Sequence, residues 1–155
     1  SRRPVRFVMD HKIFKIPIAS FVFKVGKAIP IAPKHEDPLA MERAFEQVAR
    51  VLEEGEVVCI FPEGKITQDG AMNAFRPGLN RIVERSQVPV VPMALSGLWG
   101  SFFSRADGAA MSKPWRLVAQ FRSQIELSVG SIVNPDTYEL GRVEADVLTL
   151  RGDRT

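Results

Sequence analysis

Cysteine is nearly absent from this chain: Cys59 is the only one in 155 residues, so no disulfide can form within it. Two histidines beside that one cysteine leave no cluster with metal-ligand spacing, which argues against a zinc site. No uninterrupted apolar stretch approaches the ~20 residues that a membrane-spanning helix needs, and the first residues do not read as a secretory leader. The chain itself is therefore expected to be soluble or peripheral. Neither sign of charge dominates, since 21 Lys and Arg face 18 Asp and Glu for a net charge of +3. That balance supports only weak attraction to anionic partners. The basic residues are scattered, with no aromatic-interleaved stripe, which argues against nucleic-acid binding. Internal repeats, low-complexity tracts and long linkers are also missing, so a single domain over residues 1–155 is expected.

What is present is ordinary globular material, 45% hydrophobic and 25% charged, enough for one real core. Val5 to Met9 predicts a strand, and Ala28 to Ala32 a second, short one ended by Pro33. Pro38 to Glu54 carries the clearest helical stripe: Leu39, Ala40, Ala44, Phe45, Val48, Val51 and Leu52. Asp37 is placed to cap it, with Pro38 at the first helical position and Gly55 at its close. Val57 to Phe61 is a continuous apolar run of strand length, expected to be covered on both faces, with Cys59 as a buried structural thiol. A polar loop over Gly64 to Asn73 and a helix from about Pro77-Gly78 follow. Val88 to Leu95 predicts another buried strand, with Pro89 and Pro92 toward its ends or at an edge. Arg116 to Phe121 and Gln124 to Val129 alternate like half-exposed strands, and Val143 to Leu150 predicts a final helix. Strands alternating with helices predict an α/β layered fold with a mostly parallel central sheet. Ligands in such sheets sit beyond the carboxyl ends of the strands, which singles out the loop after Phe61.

That loop opens with Phe61-Pro62-Glu63-Gly64-Lys65-Ile66-Thr67. Phe75-Arg76-Pro77-Gly78 follows at the entrance of a helix, and then Val88-Pro89-Val90-Val91-Pro92-Met93-Ala94-Leu95. In this order and spacing, with the Gly26 to Ile31 block ahead of them, the segments resemble the glycerol-phosphate and lysophosphatidic acid acyltransferase family over roughly Val5 to Ser104. The tail Gly97 to Ser104 looks closest to bacterial members acting on lysophospholipids, often fused to other modules. The resemblance implies an O-acyltransferase that moves a fatty acyl group from acyl-CoA or acyl carrier protein to a hydroxyl of a lysophospholipid or glycerol-phosphate acceptor. It implies no bound cofactor or metal. It also implies a place on the cytoplasmic side of a membrane, peripheral or as a domain of a membrane-anchored parent, in phospholipid biosynthesis or remodelling.

In this family a His-x4-Asp motif carries the catalysis: histidine takes the hydroxyl proton as general base and aspartate fixes its tautomer. The motif is missing from these 155 residues. His11 has Ile16 at the aspartate position and His35 has Ala40. The family places the motif just ahead of the equivalent of Val5 to Met9, so the expectation is an N-terminally truncated domain that is inactive by itself. His11 beside Asp10 is a tempting pair, but adjacent strand residues point to opposite faces. The alternative function is a non-catalytic lipid or acyl-carrier binding module.

The resemblance assigns acceptor binding to Glu63, Gly64, Lys65, Arg76 and Gly78. Two bland readings compete: Glu63 as a cap on a neighbouring turn, and Gly64 as the residue a tight turn needs. Lys65 and Lys34 stand where relatives often carry arginine, and lysine lacks the bidentate fork. Arg76 and Gly78 together would offer phosphate a cation and a helix amino terminus. From Lys12 to Lys27 two readings stay open. One is a core helix with a lysine-bearing outer face. The other is a membrane-surface segment in which Lys12, Lys15 and Lys24 meet anionic head groups while Phe14, Phe21 and Phe23 dip toward the acyl region, with Arg2, Arg3 and Arg6 adding charge.

Overall fold

A computed structural model describes residues 3–11, 26–33, 36–97, 99 and 125–152. The proposed membrane-surface residues Lys12, Phe14, Lys15, Phe21, Phe23 and Lys24, together with Lys34, His35 and the Arg116 to Phe121 strand, lie outside them. The described chain forms two compact units, one of residues 1–62 and 77–88, the other of residues 63–76 and 89–155.

The first unit is built on three parallel strands, β1 (Val5–Asp10), β2 (Ile29–Ile31) and β3 (Val57–Cys59), in the order β2-β1-β3. Parallel neighbours cannot be joined by a tight hairpin. Helix α1 (Pro38–Glu53) supplies the connection between β2 and β3 and packs on both strands. The Asp37 side chain accepts the Ala40 N–H at 2.9 Å, and Pro38 occupies the first turn, where its missing N–H costs nothing. Ala44, Phe45, Val48 and Val51 on one side of α1 join Val8 of β1, Ile29 of β2 and Ile82 of α2 (Gly78–Ser86) in one core. Arg81 closes the α1–α2 contact from outside. Its guanidinium stacks 4.4 Å above the Phe45 ring and donates to both carboxylate oxygens of Glu42 at 2.9 Å.

β3 is shorter and less covered than its apolar run predicts. It ends at Cys59, all three residues are half-buried, and Phe61 is exposed. Among the described residues it is an edge strand, paired only with β1. Cys59 is half-buried rather than buried, and burial still pushes its thiol pKa up, away from a reactive thiolate.

The second unit pairs β4 (Met93–Ser96) with β5 (Glu126–Val129), antiparallel, against α3 (Leu140–Arg151), which begins three residues earlier than its sequence pattern suggests. The buried strand expected over Val88 to Leu95 is a correction. Ladder pairing starts only after Pro92, whose ring leaves no N–H to donate and whose carbonyl accepts the Gly130 N–H at 2.9 Å. Val90 makes an isolated bridge to Val133. Within β4 only Ala94 is buried. Met93 and Leu95 lie opposite Val129 and Leu127 on an exposed face, because strand side chains alternate. The described residues contain no helix long and apolar enough to cross a membrane.

Register between β1 and β3 is pinned at its start. The Val57 N–H donates to the Pro4 carbonyl at 3.0 Å, and Arg6 grips Glu56 with two guanidinium nitrogens. Arg6 is thus committed to a carboxylate and adds nothing to a cationic approach surface, which corrects that expectation. Arg6 holds the Glu56 carboxyl below the usual carboxylate range. A depressed carboxylate stabilises the fold above its unfolded pKa, and the effect is lost as pH falls through its folded value. Glu56→Gln is therefore expected to melt below the wild type near neutral pH. The two melting curves should converge in acid, and a gap of constant size at every pH would contradict the assignment.

Candidate functional site

Beyond β3 the chain leaves the first unit at Pro62 and returns to it at Pro77. Between those points it forms an irregular loop of the second unit that holds four of the five expected acceptor residues. Gly64 sits at φ +62, the left-handed region that side chains other than glycine enter at a cost. A Cβ placed there would also lie 2.9 Å from Arg76 Cδ and 3.0 Å from its Nε. The Arg76 side chain therefore lies flat across the Gly64 backbone. It is exposed, and it has no hydrogen-bond or ion-pair partner among the described residues. Its stem is packed while its charge is open.

Glu63 behaves differently. One of its carboxylate oxygens, Oε2, accepts the Asn73 backbone N–H at 2.6 Å and the Asn73 side-chain amide at 3.0 Å. This is the capping role considered for it, with its partner ten residues along the chain. Lys65 is exposed, and its charge is one of the influences on Asp69. The Asp69 carboxyl is held low mainly by the Ala71 N–H, then by the Thr67 hydroxyl. Those bonds, both at 3.0 Å, and the Gly70 N–H donating to Thr67 Oγ1 at 3.0 Å close the loop tip on itself.

The same tip is held from two other places in the second unit. Trp99 lies against Gly70, where φ is +89 and a Cβ would meet the indole ring at 3.0 Å. Arg151, at the end of α3, donates to the Gly70 carbonyl. Gly78, the fifth expected residue, is the first residue of α2 in the other unit. Pro77 caps that helix with no side-chain hydrogen bond. The Phe45 ring stands 3.5 Å from where a Gly78 Cβ would be, an ordinary contact, so packing does not demand glycine there.

His11 Nδ1 lies 3.4 Å from Asp10 Oδ1, yet no hydrogen bond joins them, and Nδ1 is buried without a hydrogen-bond partner among the described residues. That geometry does not make a catalytic dyad. Among the described residues no group of three or more His, Cys, Asp or Glu could hold a metal ion. An open groove on α1 sets Arg43 and Arg50 among Glu46, Glu54 and Gln47, the mixed polar lining of a solvated helix face. Sequence reasoning missed Asn73 and Arg151. Thr67 to Gly70 carries a readable turn signal, but nothing local marks Asn73 as the partner of Glu63 or Arg151 as that of Gly70.

The two glycines expected at the acceptor site separate in their expected substitution effects. Gly64→Ala should cost about 1–2 kcal/mol of stability, the usual left-handed penalty, and also displace Arg76. Gly78→Ala should leave the melting temperature unchanged or slightly raised, because alanine is the better helix residue by up to about 1 kcal/mol. Thermal melts of the two variants check both signs.

The chain is 29% identical over 92 residues to a chloroplastic 1-acyl-sn-glycerol-3-phosphate acyltransferase of Brassica napus, covering 59% of this chain and 26% of that protein. It is 35% identical over 83 residues to an N-acylphosphatidylethanolamine synthase of Arabidopsis thaliana, covering 53% of this chain and 28% of that one. The chain thus spans about a quarter of the length of these relatives. The crystal structure of the 1-acyl-sn-glycerophosphate (LPA) acyltransferase PlsC from Thermotoga maritima shares the fold. Its TM-score is 0.64 at 19% identity, over 97% of this chain and 56% of that one. A family model described as Acyltransferase matches residues 1–96, and the chain belongs to the acyltransferase family.

Proposed function

We propose that this chain is the acceptor-binding part of an O-acyltransferase. It would take a fatty acyl group from acyl-CoA or acyl carrier protein and pass it to a hydroxyl of a lysophospholipid or glycerol phosphate, in phospholipid biosynthesis or remodelling. The observation that carries the reading is Arg76, packed by its stem across Gly64 and without an anionic partner among the described residues, in the loop beyond β3. A guanidinium held in place with its charge open suits a phosphate, because its fork can donate two charge-assisted hydrogen bonds at once. Lys65 adds a second cation on the same loop, and the bare backbone at Gly64 leaves room for the Arg76 side chain to lie across it. Relatives named as 1-acyl-sn-glycerol-3-phosphate acyltransferases support the same acceptor class.

The donor's thioester supplies an activated acyl group, so the reaction needs no redox cofactor. It does need a base for the acceptor hydroxyl, and no His-x4-Asp lies within the 155 residues. Contact with a membrane surface on the cytoplasmic side is part of the proposal, since the acceptors are lipids.

Two measurements test it. The 155-residue chain, offered lysophosphatidic acid and acyl-CoA, is expected to give no turnover above a heat-killed control. The complete reading frame containing it is expected to acylate lysophosphatidic acid, and Arg76→Ala there should raise the acceptor KM by about tenfold, one charge-assisted contact, with little change in the donor KM. If the complete protein binds lysolipid vesicles but never turns over, the non-catalytic binding module replaces the enzyme.

A further inference from the structure

We infer that Asn73 is a positioning residue for acceptor phosphate, acting through Glu63 to hold Arg76 in its place. The inference rests on the reading of Arg76 as the phosphate-binding group.

The loop has a tip and a base, and separate contacts hold them. At the tip, Thr67, Asp69 and the N–H groups of Gly70 and Ala71 satisfy one another, and Arg151 and Trp99 hold Gly70 from outside. None of these contacts involves Glu63. At the base, the hydrogen bonds that close the loop among the described residues come from Asn73, two donors on one Glu63 oxygen. The consequence lies in the residues next door. Gly64 follows Glu63 directly, and Arg76 comes three residues after Asn73. The clamp therefore sets the separation of the two chain segments that carry Gly64 and Arg76, and the Arg76 side chain crosses between them.

Releasing the clamp leaves the tip closed and the charge of Arg76 intact, but frees its backbone to move away from Gly64. The guanidinium then loses the surface that lies under it, and an anion must immobilise a rotamer-rich side chain on binding. That ordering cost is of the size that separates a preorganised site from a loose one. Glu63 meanwhile has one oxygen already occupied, which fits a residue that shapes the site.

The test is a double-mutant cycle on the 155-residue chain, titrated by NMR with sn-glycerol 3-phosphate and, as a phosphate-free control, with glycerol. Asn73→Ala is expected to weaken sn-glycerol 3-phosphate binding about tenfold, the worth of one hydrogen bond to a charged group. The Asn73→Ala, Arg76→Ala double variant should bind no more weakly than Arg76→Ala alone, because both changes remove one interaction. Asn73→Asp keeps the size and the backbone donor but sets two carboxylates against each other, so it should bind at least as weakly as Asn73→Ala while still folded. If Arg76→Ala binds like the wild type, the phosphate reading of Arg76 fails and this inference falls with it. If Arg76→Ala weakens binding but Asn73→Ala and Asn73→Asp do not, or if the two alanine effects multiply in the double variant, Asn73 has no positioning role and the phosphate reading survives.

Discussion

Three parallel strands with β1 in the middle impose the constraint from which the rest of the first unit follows. A parallel pair needs a long crossover, and the crossover must cover a face of the sheet. Helix α1 meets both needs at once. It leads from β2 to β3 and brings Phe45, Val48 and Val51 onto Val8 and Ile29. Burial of those side chains is worth on the order of 1.5–3 kcal/mol for each large one, far more than any surface ion pair nearby. Arg81 and Glu42 then decorate the contact between α1 and α2, and Arg6 with Glu56 pins the start of β3. β3 is thereby held in register with β1 inside the first unit.

The arginines show how the same side chain is put to different uses. Arg6 faces a carboxylate through two nitrogens and Arg81 through one that reaches both oxygens, and Arg81 also lies over an aromatic ring. Arg151 meets a backbone carbonyl. Arg76 differs from all three in having a packed stem and no partner for its charge among the described residues. A solvated surface arginine normally swings freely, and an anion that captures it must immobilise it. Glycine at 64 lowers that cost by offering a flat backbone surface that no other residue could provide at φ +62.

Elements held by nearest neighbours were legible in the sequence. Asp37, Pro38 and the stripe on α1 gave both ends and the buried face of the helix, because capping and periodicity are local. β1 and β2 were legible for the same reason. Exposure was harder to read. The run Val57 to Phe61 looked covered on both faces, but an apolar run does not reveal whether a strand is central or at an edge. Val88 to Leu95 looked buried throughout, yet two prolines delay the ladder to Met93, and alternation turns Met93 and Leu95 outward. At the site, Phe-Pro-Glu-Gly and Arg-Pro-Gly marked the two ends of the loop. The crossing of Arg76 over Gly64 and the Asn73 clamp join residues ten or more positions apart, where no periodicity operates.

The reach of the family match adds one more point about how the loop is held. Residues 1–96 match the family model, and they include the whole loop with its Glu63–Asn73 base. The contacts on the loop tip come from Trp99 and from Arg151 on α3, both beyond that span. The base is thus built from the segment that defines the family, whereas the tip is anchored by sequence outside it.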